Sequence, residues 1–168
     1  MVLFVNACVR KESRTRQLAE RLLGEITEDY EEIKLENIKF SKVDEEFLKN
    51  RDRLIADKKY DDESFAMARQ FARANIIVIA APYWDLSFPA ILKQYIELIN
   101  VLGITFEYTP EGVPRGLCKA KKLYYVMTAG GNYVPEEFGF GYVKALAQNF
   151  YGIKNVELIK KTGLDIKM

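Results

Sequence analysis

A chain of 168 residues is long enough to bury a real core and lies within the usual range of one domain. Its 25 Lys and Arg against 24 Asp and Glu leave a net charge of +1, which implies no wholesale binding to nucleic acid or to an acidic partner. Histidine is absent altogether, which removes Ser-His-Asp and Cys-His nucleophilic machinery, His-containing zinc sites and the commonest general base. Cys8 and Cys118 are widely separated and do not suggest a disulfide framework or a four-cysteine zinc site. Apolar runs reach only strand length and no signal peptide is recognised, so no membrane span is expected and the chain is read as cytoplasmic. An enzyme of this composition relies on carboxylates or on an organic cofactor.

In chain order, Val2 to Ala7 forms a first apolar strand. A helix from about Thr15 to Leu23 follows, with Leu18, Ala19, Leu22, Leu23 and Ile26 on one face. Glu31 to Ile38 alternates charged with apolar residues, as a strand near a sheet edge does. Val43 to Lys59 is highly charged and predicts a loosely packed helix or helical insertion. Asp61-Asp62-Glu63 then starts a helix whose core face is Phe65, Ala68, Phe71 and Ala72. Ile76 to Ala81 is continuously apolar, like a central parallel strand. A long helix after Pro89 carries Ile91, Leu92, Tyr95, Ile96, Ile99 and Leu102 and stops at Gly103. Leu123 to Met127 is a fourth strand. Tyr142, Val143, Leu146, Ala147 and Phe150 mark a helix ended by Gly152, and Asn155 to Lys160 is a fifth strand. No linker or repeat interrupts the pattern, so residues 1–168 read as a single α/β domain. Five strands with intervening helices predict a doubly wound five-stranded parallel sheet, flavodoxin-like, in the order 2-1-3-4-5.

Ligands bind such sheets beyond the carboxyl ends of the strands, where the strand order reverses. Three loops meet there. The first, Arg10-Lys11-Glu12-Ser13-Arg14-Thr15, sets hydroxyls and guanidiniums ahead of a helix N-terminus, which suits a phosphate. It contains no glycine, so neither the dinucleotide fingerprint nor the P-loop is present, and a hydroxyl cradle suits a mononucleotide. Alternatively, Ser13 only caps the helix. The second loop, Pro82 to Pro89, carries Tyr83, Trp84 and Phe88, which can flank a flat heterocycle or simply pack a surface turn. The third, Thr128-Ala129-Gly130-Gly131-Asn132-Tyr133, pairs glycines where backbone approaches a ligand, takes φ > 0, or makes an ordinary tight turn.

Over nearly its whole length the chain resembles the flavodoxin-like NAD(P)H-dependent FMN oxidoreductases, which include NAD(P)H:quinone reductases and FMN-dependent azoreductases. The resemblance is carried by Asn6-Ala7-Cys8-Val9-Arg10, Ser13-Arg14-Thr15, Ala81-Pro82-Tyr83-Trp84, Leu92-Lys93-Gln94-Tyr95-Ile96-Glu97, Gly103-Ile104-Thr105-Phe106 and Thr128-Ala129-Gly130-Gly131. It implies that Ser13 and Thr15 bind the FMN phosphate with help from Arg14 or Arg10. It further implies that Pro82, Tyr83, Trp84, Asp85 and Leu86 line the isoalloxazine. Thr128, Ala129, Gly130, Gly131 and Tyr133 would close over its pyrimidine side. The implied activity passes two electrons from NAD(P)H through FMN to a quinone, azo or similar aromatic acceptor. Flavin N5 carries the hydride, and Tyr83, Tyr133 or water are candidates to return a proton. No Arg or Lys can be assigned to a 2′-phosphate, so NADH and NADPH both remain open.

The chain departs from the family in three ways. It is shorter than typical azoreductase-type members, no histidine follows Gly131, and Asp85 stands where many relatives carry an amide. A carboxylate at Asp85 would oppose negative charge on reduced flavin unless it points away. A homodimer with the acceptor pocket at its interface is expected, because the helix from Ala90 to Leu102 extends its apolar arc through Leu98, Val101 and Leu102 toward Phe106 and Tyr108. The competing expectation is that Val43 to Lys59 covers that patch within one chain. From another functional class, a flavodoxin-type electron carrier is the alternative; such carriers dock through strongly acidic surfaces, which a net charge of +1 does not provide. A flavin-free member of the fold is a third reading, separable by colour.

Overall fold

The computed structural model describes residues 1–167. Val2–Asn6 forms β1, Tyr30–Lys34 β2, Ile76–Ala80 β3, Phe106–Tyr108 β4, Pro114–Gly116 β5, Lys122–Thr128 β6 and Asn155–Lys161 β7. β2-β1-β3-β6-β7 make one sheet, all neighbours parallel, which is the order 2-1-3-4-5 among its five strands. Parallel strands need long crossovers, and these are helices α1 (Arg14–Glu25), α2 (Glu45–Ala56), α3 (Ala66–Arg73), α4 (Ala90–Ile99) and α5 (Phe140–Leu146). α5 runs on through a wider helical turn at Ala147–Tyr151, and Gly152 ends it at φ 73°.

The pleat divides the core in two. Val2, Phe4, Val78, Ala80 and Val126 face α1, where they meet Ala19 and Leu23. Leu3, Val5, Ile77, Ile79, Leu123 and Tyr125 face α3, α4 and α5, where Phe71, Leu92, Tyr95, Ile96, Ile99 and Val143 are buried. A sheet covered on both faces explains why its central strands are continuously apolar.

Two boundaries differ from the sequence expectation. β2 stops at Lys34 rather than Ile38, because its register partner in β1 is Asn6, the last residue of that strand. Leu35–Asn37 turns inward as a short 3₁₀ helix and buries Leu35. α4 ends at Ile99, short of Leu102. Buried Thr105 donates its hydroxyl to the Ile99 carbonyl at 2.7 Å and accepts the Val101 N–H at 3.1 Å, drawing the chain off the helix. The antiparallel hairpin β4–β5 was not anticipated. Its Gly116 lies so close to the Tyr151–Gly152 backbone that a Cβ would fall 2.1 Å from the Tyr151 carbonyl carbon.

The helical insertion is realised as α2, capped by Asp44, whose carboxylate accepts the Phe47 N–H at 2.9 Å. It buries only Leu54, yet Phe47 and Arg51 flank Leu98, and Ile55 flanks Leu102 and Phe106. Val101 and Phe106 are buried, Leu98 is half-buried, and Leu102 and Tyr108 remain exposed. The patch is therefore only partly covered within the chain.

Candidate active site

The site forms where the carboxyl ends of β1, β3 and β6 lose their sheet partners. After β1, the Asn6 carboxamide oxygen accepts the Cys8 N–H at 2.9 Å and its amide donates to Glu32 at 2.9 Å, steering the chain out of the sheet. Ser13 then caps α1, its Oγ accepting the Arg16 N–H at 3.1 Å. The capping oxygen uses a lone pair, so the Ser13 hydroxyl keeps a proton to donate, to a ligand or to the neighbouring Cys8 sulfur. The backbone N–H groups of Arg14 and Thr15 have no acceptor among the described residues, as expected in a first helical turn. Thr15 Oγ1 lies 2.7 Å from Thr128 Oγ1 at the end of β6. One hydroxyl of this buried pair donates to the other, which leaves one proton for a ligand. The capping reading and the phosphate reading of Ser13 are thus compatible.

The second loop stays tied to β6 through the Tyr83 N–H, which donates to the Thr128 carbonyl at 3.1 Å. Trp84 and Ser87 then exchange both backbone hydrogen bonds, at 3.2 and 2.7 Å, around Asp85 and Leu86. Both central residues have positive φ, 51° and 67°, which defines a type I′ turn. Leucine strongly disfavours this region, so the turn is strained, and such strain concentrates at ligand sites. Tyr83 donates its hydroxyl to the Pro135 carbonyl at 3.0 Å and Ser87 donates to the Phe138 carbonyl at 2.7 Å. These two bonds pin the segment after the glycine pair onto the second loop. Burial pushes the Tyr83 phenol above its ordinary range, with Tyr133, Glu137 and Glu136 adding to the effect.

Together the loops enclose a cleft of about 460 Å³, a size suited to a cofactor. Arg10, Ser13, Arg14 and Thr15 line it from the first loop, Pro82, Tyr83 and Trp84 from the second, and Thr128, Ala129 and Gly130 from the third. Asp85, Leu86, Gly131 and Tyr133 do not line it. Asp85 sits exposed at the tip of its turn, so its carboxylate is away from the cleft, and Tyr133 stands on the rim, 83% exposed. The glycine pair has neither positive φ nor a tight turn as its reason. Gly131 has open space around it, whereas a Cβ on Gly130 would fall 2.0 Å from Asp165 Oδ2.

Asp165 was not foreseen. Behind β7, Gly163 takes φ 69° and turns the chain back. The N–H groups of Gly163, Leu164 and Asp165 then donate to Gly131, Ala129 and Gly130 at 2.9, 3.3 and 3.0 Å. Asp165 thereby enters the cleft and binds Arg14 Nη1 through Oδ1 at 2.8 Å. The one local signal was a glycine followed by an acid close after a strand. Arg16, by contrast, is drawn to the Lys11 carbonyl and to Glu20 at 3.7 Å, and lies outside this cleft.

These residues suit a flavin mononucleotide. Unpaired N–H groups and two available hydroxyl protons face a site flanked by Arg10 and Arg14, and an aromatic pair stands beside it. No cluster of residues among those described is suited to a metal ion.

A family model described as a flavodoxin-like fold matches residues 1–167. The chain is 37% identical over 174 residues to an FMN-dependent NADH:quinone oxidoreductase of Clostridium perfringens, covering 98% of this chain and 87% of that protein. A Lachnoclostridium phytofermentans protein of the same description is 37% identical over 175 residues, with the same coverage. Among solved structures, an azoreductase from Bacillus anthracis superposes with a TM-score of 0.84 at 27% identity, over 98% of this chain and 87% of that one. In sequence and in architecture, the chain belongs to the flavodoxin-like family that includes the FMN-dependent NADH:quinone oxidoreductases.

Proposed function

We propose that this protein is an FMN-dependent NADH oxidoreductase that reduces a quinone, azo or similar aromatic acceptor, carried within a single domain. The observation that carries this reading is the meeting of a phosphate-suited helix start and an aromatic loop in one cleft at the switch point of the sheet.

FMN supplies the two-electron hydride chemistry when bound. The chain's own part is to bind, orient and shield. Ser13, Thr15 and the first-turn N–H groups of α1 hold the phosphate, and Arg10 and Arg14 offset its charge. Tyr83 and Trp84 would flank the ring, Tyr83 held by its N–H on the Thr128 carbonyl and Trp84 by its paired backbone bonds with Ser87. Thr128, Ala129 and Gly130, which line the rest of the cleft, would close the remaining side. Tyr83 is protonated through the neutral range and its proton is engaged by Pro135, so it acts as a tether for the rim. Proton return therefore falls to water or to Tyr133.

A homodimer is part of this reading. Val9, Leu86, Tyr133 and Phe138 are exposed apolar residues around the mouth, and a second copy seated there would roof the cleft. A cytoplasmic location accords with two free cysteines, and no helix among the described residues is long and apolar enough to cross a membrane. The carrier alternative lacks an acidic docking charge, at a net +1.

The decisive experiment mixes the flavin-loaded protein with NADH in the absence of oxygen. The yellow colour should bleach at once and return when a quinone is added, with one NADH consumed per quinone. A flavin that stays oxidised with NADH, and is reduced only through a separate reductase, would identify a carrier instead.

A further inference from the structure

We propose that Asp165 is a positioning residue of the flavin site, holding the Arg14 guanidinium where its remaining donors meet the phosphate. The inference rests on the flavin reading above and adds a residue from the far end of the chain.

Arg14 is the first residue of α1, between the two hydroxyls assigned to the phosphate. A free arginine side chain samples many rotamers, and ordering it on a ligand costs affinity. Asp165 removes that freedom beforehand. Its Oδ1 takes a single N–H, from Nη1 at 2.8 Å, and four of the five guanidinium donors stay available. The carboxylate is itself set by backbone, through three N–H donations from Gly163, Leu164 and Asp165 to the Ala129–Gly131 carbonyls. The missing side chain at Gly130 leaves the space that Oδ2 needs. A side chain that merely decorated the surface would require neither the left-handed turn at Gly163 nor the space at Gly130.

Stability does not account for the pair. Its side chains are 48% and 69% exposed, and ion pairs so exposed contribute little to folding. A carboxylate beside a phosphate also repels it, so the benefit lies in where Arg14 is held.

The test is equilibrium binding of FMN and of riboflavin to the apoprotein, followed by quenching of flavin fluorescence. Riboflavin has the same ring and ribityl chain but no phosphate. Asp165→Ala should weaken FMN by about threefold to tenfold, the cost of ordering one long side chain, and leave riboflavin unchanged. Asp165→Asn keeps an acceptor for Arg14 and should restore FMN binding. Arg14→Ala should weaken FMN at least as much, and adding Asp165→Ala to it should cost nothing more. The proposal is overturned if Asp165→Ala binds FMN as tightly as the parent or tighter, since the carboxylate would then compete with the phosphate. Equal weakening of FMN and riboflavin overturns it too, because a disordered Ala129–Gly131 loop would account for both. A parent protein that binds neither flavin sinks the flavin reading itself, which separates that failure from this one.

Discussion

Removing the two hydroxyls of the first loop tests the phosphate assignment most directly, provided that capping and ligand binding are kept apart. Ser13→Ala would lose the cap of α1, at about 1 kcal/mol, along with any phosphate contact. Ser13→Gly costs the cap only a few tenths and still deletes the hydroxyl, so it isolates the ligand effect. Thr15→Val keeps the shape of the side chain but leaves the buried Thr128 hydroxyl without its partner at 2.7 Å, for about 1–3 kcal/mol of stability. Ser13 has one free proton, because its oxygen accepts from Arg16, and the Thr15–Thr128 pair has another. Hydrogen bonds to a charged group are worth about 1.5–3 kcal/mol each, so together they supply about 3–6 kcal/mol. The Ser13→Gly/Thr15→Val protein should therefore bind FMN roughly one to four powers of ten more weakly, the lower end marking donation by Thr128, which also lines the cleft, in place of Thr15. Riboflavin, titrated in parallel by fluorescence quenching, should bind as it does to the parent. A double variant that is folded and holds FMN within threefold of the parent refutes the phosphate assignment.

The strained turn offers a test in the opposite direction. Leu86 has φ 67° and is largely exposed, so Leu86→Gly should raise the unfolding free energy by about 0.5–1 kcal/mol after glycine's extra backbone entropy; a chemical denaturation midpoint that falls instead removes the claim of strain. Tyr83→Phe should lose about 1 kcal/mol of stability with the Pro135 hydrogen bond. It should leave the pH profile of turnover unmoved from the parent's, because the phenol titrates above its ordinary range. The disappearance of a basic limb would make Tyr83 the proton donor after all. Light scattering should give about twice the chain mass of 19.4 kDa, whereas a monomer that stays fully active on dilution excludes the roofed pocket.

Much of this protein is written locally. β1, β3 and β6 read as buried strands because an unbroken apolar run of that length suits little else. The crossover rules then leave few strand orders, and these direct attention to the loops at the switch point. The absence of histidine directed the chemistry toward a cofactor before any fold was known. Ser13 and Thr15 were legible because a helix start must satisfy its own N–H groups from nearby residues.

What the sequence left undecided depends on contacts between distant segments. α4 ends at Ile99 because Thr105 reaches back to it, which helix periodicity over Ala90–Leu102 cannot reveal. The apolar residues beyond that helix looked like a partner's surface, yet Val101 and Phe106 are buried within the chain, Phe106 against Tyr108 and Phe150, and such contacts leave no local sign. Gly130 read as a glycine for close ligand approach, for positive φ or for a tight turn, but its small size makes room for Asp165, thirty-five residues further along. Composition and periodicity by themselves indicated the fold class and turned the chemistry toward an organic cofactor, because local chain physics dictates them, whereas the strand order came from the crossover rules and FMN itself from the loop chemistry and the family resemblance. Only tertiary structure decided that Asp165 faces Arg14 and that Asp85 turns outward, since pairings across the sheet edge depend on how separate loops close.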